Sequence, residues 1–143
     1  MPTRSRIDPV GDSLLCYAAR RPEEVGDAGK VCRHLVEALG LPVGEVSKWN
    51  QNPLFYAARG GIPEAIAYLL GARADPHLRD VNEQTPLFYA ASCSSHPGSL
   101  HGIRLLLERR VEAKQKDRNG QTPLFYAAKE GRADACDLLI GAR

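Results

Sequence analysis

Hydrophobic residues along this 143-residue chain fall in short paired blocks separated by polar stretches. The first block of each pair is nearly the same string. PLFYAA runs from Pro53 to Ala58, from Pro86 to Ala91 and from Pro123 to Ala128, and a fainter copy, Leu14-Leu15-Cys16-Tyr17-Ala18-Ala19, precedes them. The second block carries one apolar face at helical spacing: Ile66, Leu69 and Leu70, then Ile103, Leu106 and Leu107. This predicts second helices over Pro63 to Leu70, about Leu100 to Leu107, about Ala133 to Ile140, and near Val31 to Leu39. From Tyr17 through Tyr56 and Tyr89 to Tyr126 the steps are 39, 33 and 37 residues. A period near 33 implies a stack of small repeated units rather than one globular core.

The helix starts have a local cause. In Thr85-Pro86 and Thr122-Pro123 a hydroxyl can cap free backbone N–H groups, and proline suits the first helical position because its missing N–H costs nothing there. Asn52-Pro53 changes the capping side chain, and Ser13-Leu14 keeps the cap without the proline. The Ala-Ala that ends each first block lets the neighbouring helix approach closely. Asp117-Arg118-Asn119-Gly120-Gln121 reads as a turn with glycine where positive φ is expected.

Composition adds little and excludes some classes. Hydrophobic residues make up 43% and charged residues 25%, as in an ordinary soluble folded protein. No apolar run approaches the about 18 residues of a membrane span, and the basic Met1-to-Arg6 segment has no apolar stretch behind it to make a secretory signal. The four cysteines follow no framework spacing and read as small, mostly buried side chains in a reducing compartment, so an intracellular location (cytoplasm or nucleus) is expected.

These residues resemble the ankyrin repeat family, whose signature is DxxGxTPLHxAA. The last copy reads DRNGQTPLFYAA, with Phe125 at the histidine; the one before reads DVNEQTPLFYAA, with Glu83 at the glycine. The resemblance implies an all-α repeat solenoid: stacked helix-turn-helix units with β-turn tips, at about 8–46, 47–79, 80–116 and 117–143. Phe55, Phe88 and Phe125 replace a histidine that in the family bonds to the threonine cap, and burial of each ring is expected to compensate. Arg73 and Arg110 stand where the family has glycine after the second helix, so altered helix ends are expected there. Extra residues, about Arg21 to Lys30 and Ser94 to Pro97, should fall between paired helices. The last unit stops midway without a polar cap, which suggests a segment of a longer protein.

The resemblance further implies a concave binding face made by turn tips and first-helix ends. The partner-binding set carried over by motif position is Arg20, Arg21, Lys48, Trp49, Gln51, Arg59, Arg79, Asn82, Gln84, Lys116, Arg118, Asn119, Gln121 and Lys129. Pro9, Val10, Asp12, Val46, Gly60, Val81, Ser92, Cys93 and Glu130 map there too. This face holds eight positive and two negative residues, whereas the rest of the chain holds eleven positive and fifteen negative. A one-sided field steers oppositely charged partners. Trp49, the only tryptophan, is expected at an exposed tip as an apolar anchor. The four repeat tyrosines should pack between units while offering a hydroxyl edge to the groove.

The expected function is a non-catalytic interaction module binding an acidic or phosphorylated extended segment of another protein, or an intramolecular segment. Alternatives are a targeting or regulatory domain of a larger enzyme, and anionic nucleic-acid or lipid binding by the same face. Nucleic acid is disfavoured because the charges are dispersed. A methyl-lysine cage would need several converging aromatics with an acid. Cys93, His96 and His101 lack the fourth ligand of a zinc site, and no GxSxG, Walker loop or HExxH occurs. No cofactor and a monomer are expected.

Overall fold

The computed structural model describes residues 11–20, 27–93 and 98–142. Among these lie eight α-helices: α1 (Leu14–Arg20), α2 (Ala28–Glu37), α3 (Pro53–Gly60), α4 (Pro63–Gly71), α5 (Pro86–Ser92), α6 (Ser99–Glu108), α7 (Pro123–Lys129) and α8 (Ala133–Gly141). Each odd helix packs on the even helix after it. The odd helices also stack in sequence, α1 on α3 on α5 on α7, and the even helices form a second layer in the same order. The chain is an all-α helical solenoid, as the repeat spacing requires. The core runs between the layers, with Leu54, Leu87, Ile66, Leu69, Ile103 and Leu106 completely or almost completely buried. Gly102 permits the tightest approach there, since a Cβ on it would lie 2.8 Å from Ile66 Cδ1.

Proline begins α3, α4, α5 and α7. Asn52 Oδ1 accepts from the Leu54 N–H at 3.2 Å, and Ser13 Oγ accepts from the Cys16 N–H at 3.3 Å, so these two caps act as expected. The threonine caps do not. Neither Thr85 nor Thr122 makes a side-chain cap bond. Thr85 Oγ1 is buried without any hydrogen-bond partner, the single such side-chain atom among the described residues. Phe88, three residues on, is an apolar ring at the position of the family's hydroxyl-bonding histidine and offers it no partner.

The phenylalanines bury as expected in two cases out of three. Phe55 meets the edge of Tyr89 at 5.7 Å and Phe88 meets Tyr126 at 5.9 Å, each across to the next helix pair. Phe125 instead packs on its neighbour Tyr126 and is 44% exposed, because no described helix pair covers it. Each fully buried ring contributes about 1.5–3 kcal/mol, a gain Phe125 only partly collects.

The helix end at Arg73 is not altered, contrary to expectation, and at the Arg110 end the Arg110 N–H bonds to Leu107 C=O. Both arginines take the left-handed backbone, φ +68° and +60°. Arg73 N–H still bonds to Leu70 C=O and Ala74 N–H to Leu69 C=O, so closure is kept and the strain is borne by the side-chain-bearing residue. α2 begins at Ala28, within the Arg21-to-Lys30 stretch assigned to the first insertion. Asp27 caps α2 by accepting from Lys30 N–H at 3.0 Å, which puts Lys30 inside the helix. Residues 21–26 and 94–97 lie outside the described residues.

Candidate functional site

The turn tips between helix pairs are held by a repeated polar device. Asp80 Oδ1 accepts from the backbone N–H groups of Asn82 and Gln84, at 2.9 and 3.0 Å, which folds the tip. Its Oδ2 accepts from Tyr89 OH at 2.6 Å and from Gln51 Nε2, of the preceding tip, at 2.8 Å. Asp117 repeats every contact. It accepts from Asn119 and Gln121 N–H, from Tyr126 OH at 2.6 Å and from Gln84 Nε2 at 2.8 Å. The tips are also laced by backbone: Val81 N–H donates to Trp49 C=O, and Arg118 N–H to Asn82 C=O, both at 3.0 Å.

One junction inverts the arrangement. Ser47 stands where Asp80 and Asp117 stand, and Asp12 stands where Gln51 and Gln84 stand. The carboxylate therefore comes from the preceding side, and Tyr56 OH donates to Asp12 Oδ1 at 2.5 Å. Each junction keeps one carboxylate, one phenol and one neutral partner.

Titration follows from this geometry. Burial first, then the bond to the adjacent carboxylate, pushes the Tyr89 and Tyr126 phenols up to about 12, and Tyr56 rises for the same reasons. Burial alone would raise the Asp117 carboxyl. The bonds from Tyr126, Gln84, Gln121 and Asn119 outweigh it and hold the group below the ordinary carboxylate value. Cys32 is pushed up to about 12 by burial and by nearby Cys16, so its thiol is unreactive near neutral pH.

A groove of about 430 Å³ opens across the first three helix pairs, lined by Asp12, Arg20, Trp49, Gln51, Tyr56, Arg59, Val81, Asn82 and Tyr89. Five members of the sequence-derived set meet there: Arg20, Trp49, Gln51, Arg59 and Asn82. Arg59 is exposed yet positioned. Its guanidinium carbon lies 4.8 Å from the Tyr89 ring centre and 5.5 Å from that of Tyr56, and Nη2 reaches Gln51 Oε1 at 3.4 Å. Lys48 sits over the Trp49 ring at 4.8 Å, and Trp49 is 48% exposed.

The remaining assignments divide. Arg79, Lys116, Arg118, Asn119 and Lys129 are exposed but lie outside the groove lining. The Arg79 guanidinium lies against the Gln115 side-chain amide. Gln51 is buried, and Gln84 and Gln121 are half-buried. Gln51 and Gln84 are corrected from contact residues to junction residues, because their amides are spent on Asp80 with Tyr89 and on Asp117 with Tyr126. Asp12 and Cys93 are also buried rather than presented. The Tyr56, Tyr89 and Tyr126 hydroxyls are committed to carboxylates, so the expected ligand-facing edge is taken. Arg21 lies outside the described residues. Sequence reasoning missed Tyr56 and Tyr89 as supports for Arg59; the available signal was the spacing of nine from Asp80 to Tyr89 and from Asp117 to Tyr126.

Two larger hollows, of about 830 and 660 Å³, lie along the even helices. The first is lined mainly by Leu107, Val111 and Leu138 with Arg110, Glu112 and Asp137, and the second mixes Lys30 and Arg33 with Asp27, Glu37 and Glu64. Neither gathers one sign of charge with an exposed aromatic anchor, so the smaller groove is the candidate on chemistry. Among the described residues, no group of three or more His, Cys, Asp or Glu is disposed to hold a metal ion.

Compared with protein-family models, the chain matches the model described as ankyrin repeats (3 copies) over residues 15–115 and again over residues 54–143. The chain belongs to the ankyrin repeat family. No curated protein matches it significantly. Ankyrin repeats generally serve as protein–protein interaction modules, and such a domain works by the surface it presents. No helix among the described residues is long and apolar enough to cross a membrane.

Proposed function

We propose that this ankyrin repeat domain is a non-catalytic module whose basic face takes up an extended acidic or phosphorylated segment of another protein. One observation carries the reading. Of the sequence-derived contact set, Arg20, Lys48, Arg59, Arg79, Lys116, Arg118 and Lys129 are exposed, while the acidic Asp12 is buried and bonded to Tyr56. Among the described residues, Glu83 and Glu130 are the exposed acids at the tips and first-helix ends. A surface with that excess of cations raises the encounter rate with anionic segments, and its effect weakens as salt shortens the screening length. Arginine suits carboxylate and phosphate because its fork bonds them in pairs.

The test is binding to immobilised acidic, phosphorylated and basic peptides at low and high salt. Single-stranded DNA and a variant carrying Arg20→Glu, Arg118→Glu and Lys129→Glu run beside it. Acidic or phosphorylated peptides should bind best, and both the variant and high salt should weaken binding by about tenfold or more. Equal binding by wild type and variant, preference for basic peptides, or tighter binding of DNA would each overturn the proposal.

A further inference from the structure

The groove contains the parts of a cation receptor, but the protein fills it. Tyr56 and Tyr89 present their rings to the Arg59 guanidinium, and the carboxylates of Asp12 and Asp80 lie behind them on the phenol hydroxyls. A lysine or methyl-lysine ligand would have to displace Arg59 from both rings. What faces an incoming chain is instead a guanidinium already oriented. Gln51 fixes it from below, because its amide gives Nε2 to Asp80 and Tyr89 and leaves Oε1 for Arg59. No carboxylate forms an ion pair with Arg59 among the described residues. A guanidinium has five N–H donors; here Arg59 gives them to Gln51 Oε1 and to the Tyr89 hydroxyl, which leaves others for a ligand.

The other end of the same groove is apolar. Trp49 is 48% exposed and Val81 38% exposed, and the Val81 N–H to Trp49 C=O bond ties the two tips together. Lys48 lies over the indole, and the Trp49 backbone N–H donates to Ser47 Oγ, which fixes the tip from which the side chain projects. The Arg59 guanidinium is already held by two rings and Gln51, so its ordering on binding costs little, which favours affinity. The volume of about 430 Å³ is near the small end of the range of about 300–1,000 Å³ for ligand clefts, so the lining suits a few side chains rather than a long strand.

We infer that this groove reads a short two-point element in its partner: one acidic side chain seated on Arg59 and one apolar side chain seated on Trp49 and Val81. Arg59 and Trp49 determine specificity, and Gln51 is a positioning residue acting through Arg59. The inference rests on the proposed acidic partner. It adds that the partner is recognised by a local pair of side chains and not by overall charge alone.

The experiment is a double-mutant cycle with synthetic extended peptides in a Gly-Ser background. Each carries acidic residues and a single leucine at varied separation; matched peptides replace one Glu by Gln or the leucine by Ser. Arg59→Gln keeps side-chain length and an amide near Gln51, and Trp49→Ala alters an exposed tip, so both should fold, as circular dichroism will check. Arg59→Gln should weaken the acidic peptide about tenfold and leave the Glu→Gln peptide unchanged, as expected of a charge-assisted bond. Trp49→Ala should do the same for the leucine peptide and leave the Ser peptide unchanged. Arg59→Lys should recover only part of the binding because the fork is lost.

If no acidic peptide binds wild type at all, the proposed function itself fails. If acidic peptides bind but the two variants weaken every peptide alike, or Trp49→Ala has no effect, the field reading stands and the two-point reading is wrong.

Discussion

At four described positions a residue other than glycine holds a left-handed backbone: Asn50 at φ +59°, Arg73 at +68°, Glu83 at +62° and Arg110 at +60°. For most side chains this conformation costs about 1–2 kcal/mol. Glycine removes the cost but adds freedom to the unfolded chain, which takes back about 0.4–1 kcal/mol. Arg73→Gly, Glu83→Gly and Arg110→Gly should each therefore raise stability by about 0.5–1 kcal/mol, seen as a higher urea midpoint at unchanged slope. Asn50→Gly should gain less, because asparagine tolerates this region and its Nδ2 donates to Arg79 C=O at 2.8 Å. A set of glycine variants no more stable than wild type would show that the strain is relieved elsewhere. The replaced motif glycines at Arg73, Glu83 and Arg110 were legible in the sequence, but not that the left-handed backbone would be kept there. The loss of a histidine partner for Thr85 was legible at Phe88, but not that the hydroxyl would be buried and take no backbone N–H in its place.

The helices themselves follow from proline starts and apolar spacing, and their limits fall within a few residues of those the pattern predicts. What joins them was harder to read. The bonds from Gln51 and Gln84 reach residues 29 to 42 positions away, so a polar side chain at a turn tip looked exposed when it was part of the next junction. The same blindness hid Arg132. In α3 the end is closed by Gly61, left-handed at φ +66°, whose N–H bonds to Ala57 and Ala58 C=O. In α5 the corresponding cap, Cys93, is extended, with its N–H bonded to Ala90 C=O. The buried Arg132 guanidinium supplies donors from the following helix pair, to Ala90 C=O at 2.8 Å, Ala91 C=O at 3.1 Å and Ser99 Oγ at 2.8 Å. Arg132→Ala leaves these buried acceptors short of donors, and each such loss costs about 1–3 kcal/mol. We expect Arg132→Ala and Arg132→Met to lose roughly 2–4 kcal/mol each, the methionine showing that volume alone does not rescue. A loss under about 1 kcal/mol in both would mean that Arg132 is not what closes α5.

Across the whole molecule the stack is a chain of nearly identical junctions, so a chemical property of one is repeated along its length. The charge asymmetry of the face was visible in the sequence because exposed cations recur at fixed motif positions. The titration behaviour was not, because it depends on contacts between tips and helices. Tyr89 and Tyr126 are raised to about 12 by burial and by their carboxylate partners, from an ordinary 10. For these groups the unfolded chain loses protons first as pH rises, so their contribution is fully present below pH 10 and disappears as pH climbs from 10 towards 12. Asp117 has the opposite sign. Its folded pKa is depressed below 3.8, so its contribution is present above that value and is lost as pH falls through the lower folded value. Urea midpoints should therefore be level between these limits with respect to the junction groups, and fall on both sides. Tyr126→Phe removes one phenol and one donor to Asp117 together, so both limbs should become shallower. Phenolate absorbance followed against pH provides the independent check. The junction tyrosines should ionise later than exposed tyrosine and together with loss of helical signal. Uniform ionisation near 10 with the fold intact would mean that the Asp–Tyr bonds do not hold the stack together.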